Sequence, residues 1–233
     1  MTGVEFWIGL LQIVSIDILL GGDNAVVIAL ACRDLAEKQR KQAMMWGVIG
    51  AVGVRVLLIF FALFLLKVPY LKMIAALFLF WIGVNLLGGE AKEAGTGRKD
   101  TLFSAIRTII VADTVMSVDN IVGVAGAARG DMMLIVLGIS ISVPVILWGS
   151  RIVLKLMDRF PVVILIGAGL IGWIAGGMFV SDESFARWTR EPFLSWAAPA
   201  GSALLTVLIG KWRASRRVRE FRDLAESDFR KGQ

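Results

Sequence analysis

The sequence contains no histidine, a single cysteine (Cys32), a single tyrosine and only five prolines in 233 residues. Without histidine, and with one thiol, there is no Cys/His zinc site, no haem ligation of the usual kind and no disulfide within the chain. Any metal must then be met by oxygen, with methionine sulfur as the only soft alternative. Cys32 reads as a small packed apolar residue rather than a ligand. Long polar stretches are also scarce. Hydrophobic residues make up 57% of the chain, well above an ordinary soluble domain.

What is present is apolar run after apolar run. A membrane crossing needs about 20 mostly apolar residues. Seven stretches meet that need: 5–31, 43–66, 69–88, 104–128, 132–157, 161–180 and 195–210. The first lacks a basic leader and carries acids, so it is expected to remain as a span rather than to be cleaved as a signal peptide. The expected architecture is an all-α polytopic membrane protein with one transmembrane domain over 1–210 and a basic tail over 211–233. A separate soluble catalytic domain has no room, and the chain is not expected to be an enzyme.

Charge supplies the orientation. With the N-terminus outside, the inner segments carry 17 of the 25 Lys and Arg residues and the outer segments five. The remainder, Arg55, Arg107 and Arg151, fall within spans. Basic residues concentrate on the cytoplasmic side, so the N-terminus is expected outside and the C-terminus in the cytoplasm, with the chain in the cell inner (plasma) membrane. The tail, KWRASRRVREFRDLAESDFRKGQ, is read as a helical anchor on anionic membrane lipids and not as a nucleic-acid contact. The loop 181–194 places Phe185, Trp188 and Phe193 among charges, as an interfacial segment does.

Within these apolar runs a motif occurs twice. DILLGGDNAVVIALACR, from Asp17 to Arg33, matches DTVMSVDNIVGVAGAAR, from Asp113 to Arg129, at an offset of 96 residues. Asp17, Asp23, Asn24 and Arg33 coincide with Asp113, Asp119, Asn120 and Arg129. Gly53 and Arg55 align with Gly149 and Arg151 at the same offset. After a four-residue deletion, Pro69, Ala76, Trp81-Ile82 and Glu90 align with Pro161, Ala168, Trp173-Ile174 and Asp182. Residues 5–90 and 104–183 therefore form two three-span repeats, joined by the polar linker 88–100 and followed by a seventh helix over 195–210. Three spans is an odd number, so the second repeat enters the membrane from the opposite face. Inverted repeats of this kind are common in secondary transporters, which bind substrate near mid-membrane at the repeat interface.

Carboxylates within hydrocarbon are costly and mark function. Residues seven apart share a helix face, which aligns Asp17, Gly21 and Asn24 in one stripe and Asp113, Ser117 and Asn120 in the other. Asp23 and Asp119 flank them. If the repeat dyad passes near residues 20 and 116, Asp17 comes level with Asp119 and Asp23 with Asp113, in two carboxylate pairs. Gly21-Gly22 could unwind the first helix and free carbonyl oxygens. The second copy has Ser117-Val118 there, so such a break would be one-sided. Asn24 and Asn120 add amide oxygens, and Thr114, Ser15 and Ser117 hydroxyls. This set suits Mn²⁺, Mg²⁺ or Ca²⁺. Met116 is either packing or a soft ligand that would favour Mn²⁺. Arg55 and Arg151 either pair with the acids outright or balance their charge when no metal is bound. Arg33 and Arg129 fit helix C-terminal capping and headgroup contact.

The two motifs, with seven spans, resemble the TerC family of integral membrane proteins, nearest to its short YjbE/YkoY-type bacterial members. The resemblance covers roughly residues 5–210. It implies a role in Mn²⁺ homeostasis, most simply efflux by alternating access with H⁺ antiport, with Asp17, Asp23, Asn24, Asp113, Asp119 and Asn120 binding the transported ion. A second reading is an accessory protein that supplies Mn²⁺ to secreted enzymes at the translocation machinery. Partners left open are a homo-oligomer and that secretion machinery. An intramembrane aspartyl protease fits poorly: Leu20 stands where its signature needs glycine, and there are four acids rather than a dyad.

Overall fold

The computed structural model describes residues 3–65, 68–88, 98–128, 131–186 and 193–231. Among these there are helices and no strands, as the apolar periodicity requires. In lipid, backbone N–H and C=O groups must be satisfied within the segment, and only a helix does so without pairing partners. The helices are α1 (Gly3–Leu20), α2 (Gly22–Cys32), α3 (Glu37–Phe60), α4 (Ala62–Leu65), α5 (Leu71–Gly88), α6 (Arg98–Ala128), α7 (Met132–Arg159), α8 (Val162–Val180), α9 (Glu183–Ala186) and α10 (Leu194–Lys231). Five of the described helices are long and apolar enough to cross a membrane, and α1 with α2, bent by 48° at their junction, makes a sixth candidate. At 31 residues, α6 fills the stretch expected as the fourth span. This order is consistent with seven crossings in two repeats.

The expected boundaries shift in two places. α6 begins at Arg98 and α5 ends at Gly88, so both ends of the linker are already helical; residues 89–97, Glu90 included, lie outside the described residues. The seventh span and the tail are one helix of 38 residues. At 1.5 Å per residue it is about 57 Å long, well beyond a hydrocarbon core of about 30 Å. Arg213, in the part that projects, donates to Asn85 Oδ1 at 2.7 Å and ties the base of that projection to α5.

The packing is crosswise. α1 lies on α7 and α3 lies on α6, while α5 packs on α8. Ile13 and Ile109, equivalent at the offset of 96, each press on a glycine of the other repeat. A Cβ on Gly138 would come within 2.4 Å of Ile13, and one on Gly47 within 2.8 Å of Ile109. Small residues at such crossings let helices approach in lipid, where no hydrophobic force drives them together. Two apolar cores result. One gathers α2, α3, α5, α6, α7 and α8, and includes Cys32 and Met116 as packed side chains. The other joins α1 and α3 to the far parts of α6 and α7.

Polar contacts mark the two ends. Arg40 binds Asp158 at 3.0 Å, the carbonyl of Leu35 at 2.9 Å and the carbonyl of Arg33, joining the α2–α3 turn to the end of α7. Lys72, at the start of α5, meets Asp119 of α6 at the opposite end. α7 starts from Asp131, whose carboxylate accepts from the N–H groups of Met133 and Leu134, at 2.9 and 3.2 Å, satisfying donors that a helix start leaves open.

Candidate metal centre

The site begins with the break between α1 and α2. Gly21 bridges them with φ −101° and ψ 4°, and its N–H still reaches the Asp17 carbonyl at 2.7 Å. A Cβ there would lie 2.4 Å from that same carbonyl oxygen, so the turn is closed to any side chain. The Asn24 N–H bonds to the Gly21 carbonyl at 3.1 Å, which leaves the Leu20 carbonyl to accept from the Asn120 amide at 3.4 Å. α6 runs unbroken through Ser117-Val118. The break is one-sided, as the glycine pair on one copy alone indicated.

Below the break, five elements converge. Asp17 of α1 is buried, 4% exposed, with Oδ1 on Arg55 Nη1 and Oδ2 on the hydroxyl of Ser142, from α7. Asp113 of α6 accepts through Oδ1 from Arg55 Nη2 and from Asn24 Nδ2, the latter at 2.8 Å. Its Oδ2 faces the Ser117 hydroxyl at 3.4 Å, and Arg55 Nε donates to Ser117 Oγ at 3.0 Å. Asn24, 2% exposed, leaves its amide oxygen buried without a hydrogen-bond partner. Orphaned buried acceptors are rare and call for an explanation. A cavity of about 20 Å³ adjoins the cluster, walled by Asp17, Arg55, Asp113, Ala51 and Ile139; it has room for about one water.

The structure brings some of the expected site residues together and leaves others apart. Asp17 shares a guanidinium with Asp113 instead of standing level with Asp119. Asp119 is 41% exposed and paired with Lys72 at 2.6 Å. Asp23 sits in the first turn of α2, accepts the Asn24 N–H at 2.8 Å and lies within electrostatic reach of Asp113, as expected, and of Arg55; its charge also complements the helix dipole. Asn120 clips the broken helix. Thr114 donates to the carbonyl of Ile110 at 2.6 Å, within its own helix, and Ser15 is exposed. Among the described residues, no three acid, Cys or His side chains gather closely enough to hold a metal, and the two carboxylates joined directly through Arg55 are Asp17 and Asp113.

Arg151 is exposed and takes no part. The reason is rotational. On α3 the buried face includes Gly47, Ala51 and Arg55. On α7 it runs through Ile146, Ser150 and Leu154, one residue out of register with the aligned positions. A one-residue shift turns a side chain by about 100°, so Ser150 points inward where the alignment placed Arg151. Arg33 pairs with Asp34 at 3.2 Å, and Arg129 lies outside the described residues. Sequence reasoning missed Ser142 and Lys72. Ser142 aligns with Trp46, so the repeat carried no trace of it; a hydroxyl in the middle of an apolar span was the only signal.

The partly exposed Lys72–Asp119 pair should matter little to folding. Lys72→Ala is expected to lower unfolding stability in detergent by about 1 kcal/mol or less; a drop of several kcal/mol would mean that the pair is shielded.

Residues 2–218 match the sequence profile described as "Integral membrane protein TerC family". The chain is 42% identical to the uncharacterized membrane protein YjbE of Bacillus subtilis over 187 residues, covering 80% of this chain and 86% of that one. It is 28% identical to the uncharacterized membrane protein YceF of the same organism, over 70% of this chain and 67% of the relative. With YegH of Escherichia coli it shares 24% identity over 70% of its own length and 34% of that protein. No solved structure matches.

Proposed function

The chain belongs to the TerC family of integral membrane proteins, and from that membership we propose that it transports a divalent metal cation, Mn²⁺ foremost, through the centre formed by Asp17, Asn24 and Asp113. The observation that carries this reading is the buried, unpartnered amide oxygen of Asn24 beside the buried carboxylate of Asp17 and the largely buried one of Asp113. Ser117 and Ser142 supply hydroxyl oxygens to the same place. The donor set is all oxygen, which fits a hard divalent ion, and its side chains alone would serve Mn²⁺, Mg²⁺ or Ca²⁺. We propose Mn²⁺ among them because the TerC resemblance implies it.

Placement supports transport over simple storage. The centre lies where α1 and α2, α3 and α7 meet α6, between the two expected repeats, and beside a broken helix. Transporters of inverted-repeat design hold their substrate at such a junction. In the plasma membrane, with the N-terminus outside, efflux runs against an inside-negative potential. A divalent ion then loses roughly 4.6 kcal/mol per 100 mV, so export requires coupling. Asp17 and Asp113 are the groups that would carry protons in return. The basic end of α10 would rest on anionic headgroups of the inner leaflet.

The direct test is Mn²⁺ flux into liposomes containing the purified protein and a trapped Mn²⁺-sensitive dye. The native protein should transport, and Asn24→Leu, which removes the orphaned oxygen, should slow flux at least tenfold. Absence of flux by the native protein under both a proton gradient and a membrane potential would overturn the transport reading.

A further inference from the structure

Arg55 does more than lie near the two carboxylates. Its guanidinium stands in the place a cation would take. All three of its nitrogens are committed there: Nη1 to Asp17, Nη2 to Asp113 and Nε to Ser117 Oγ. Those three acceptors sit on α1 and α6, and Arg55 reaches them from α3. Arginine's planar fork suits this kind of bridging, and its charge is permanent. The side chain is 6% exposed, so the contacts are shielded from water.

The adjoining cavity, about 20 Å³, has room for one water and not for an ion with its own shell beside the guanidinium. Two positive charges a few ångströms apart in so dry a place would repel strongly. Asp17 and Asp113 face a single guanidinium, and a divalent ion would match their two charges without it.

We propose that Arg55 is a tethered competitor of the transported cation: the guanidinium and the metal occupy the space between Asp17 and Asp113 in turn, metal entry requires Arg55 to withdraw, and its return expels the metal. This rests on the reading that Asp17 and Asp113 hold the cargo. It supplies a cation inside the protein that displaces a divalent ion from Asp17 and Asp113. It also gives the arginine contacts that staple α1, α3 and α6 a role beyond packing. Arg151, turned away on α7, cannot substitute, so the competing arginine comes from the first repeat alone.

The experiment uses the full chain in detergent with Mn²⁺ as the probe, followed by loss of the free-ion paramagnetic resonance signal, and in liposomes by Mn²⁺ flux. Arg55→Lys, which keeps a charge but cannot bridge both acids, should bind Mn²⁺ about tenfold tighter. Its half-saturating Mn²⁺ concentration should fall, and its maximal flux should fall as well. Arg55→Met should show the same split more strongly. On the native chain, phenylglyoxal modification of Arg55, read by mass spectrometry, should rise when Mn²⁺ is added.

If Asp17→Asn still binds Mn²⁺ as the native chain does, the site reading fails and this proposal with it. If Asp17→Asn loses binding but neither Arg55 variant binds more tightly, the site stands and the competition is refuted. Should both Arg55 variants fail to fold, the native chain decides: unchanged or reduced modification of Arg55 in Mn²⁺ overturns the proposal.

Discussion

Asp17→Asn should abolish Mn²⁺ transport while leaving the protein folded. The two effects separate because of how the charges are distributed. In the native chain, Asp17 and Asp113 share one guanidinium. Converting Asp17 to asparagine leaves Arg55 and Asp113 as a matched pair, so no buried charge loses its partner, which is the event that costs several kcal/mol. The new amide keeps an oxygen for Arg55. Ser142 still has the Ile139 carbonyl, at 2.8 Å, for its hydroxyl. Stability should fall by about 1–3 kcal/mol, the scale of a disturbed buried hydrogen bond. For the divalent ion the change is far larger, since half the formal charge of its site is gone and Arg55 now holds the remaining acid unopposed. The dissociation constant should rise at least 100-fold, about 2.7 kcal/mol. Paramagnetic resonance titration and liposome flux measure it, with thermal unfolding in detergent as the folding check. A variant that unfolds at the native temperature and binds Mn²⁺ normally would remove Asp17 from the site.

The contrast with Asp119 shows how far the sequence could be read. Repeat alignment treats Asp17 and Asp113, or Asp23 and Asp119, as equals because it compares positions along the chain. It carries no information on how each helix is turned about its axis. One residue of rotation on α7 is enough to bury Ser150 and expose Arg151. The end of α6 past the centre places Asp119 near Lys72, a contact across 47 positions that no local pattern announces. The features that were legible are those governed by local chemistry. Apolar runs gave the helices, the polar linker gave the joint, and a glycine pair in one copy alone gave a break in one helix alone. Arg55 was legible as a charge-balancing residue because a charge amid apolar neighbours is conspicuous wherever it faces. Ser142 was not, because a hydroxyl in a span is unremarkable until a carboxylate from another helix is laid against it. The continuation of the seventh span into the tail was hidden for a different reason. Helical propensity persists across the change from apolar to basic composition, so the membrane boundary leaves no mark on the backbone.

The break itself can be tested at two adjacent positions with opposite expectations. At Gly21 a Cβ would meet the Asp17 carbonyl oxygen at 2.4 Å, whereas at Gly22 nothing lies within 4 Å. The obstacle at Gly21 is backbone, held in place by the hydrogen bond from Gly21 N–H, and cannot rotate aside as a side chain would. Its φ of −101° is open to any residue, so the demand for glycine is steric. Gly21→Val should therefore reshape the turn, at about 1–3 kcal/mol for an overpacked position. Asp17 and Asn24 flank that turn, so both ligands move with it. Displacements of about 1 Å at a site that must place its groups closely cost orders of magnitude in function, and Mn²⁺ flux should fall more than 50-fold. Gly22→Ala adds a methyl group to open space at the start of α2, where alanine is the better helix former. It should match the native chain in flux and equal or exceed it in thermal stability. Equal flux from both variants would show that the bend plays no part in holding the ion. Loss of flux in both would place the requirement on the flexibility of the glycine pair, and not on the packing of Gly21 against Asp17.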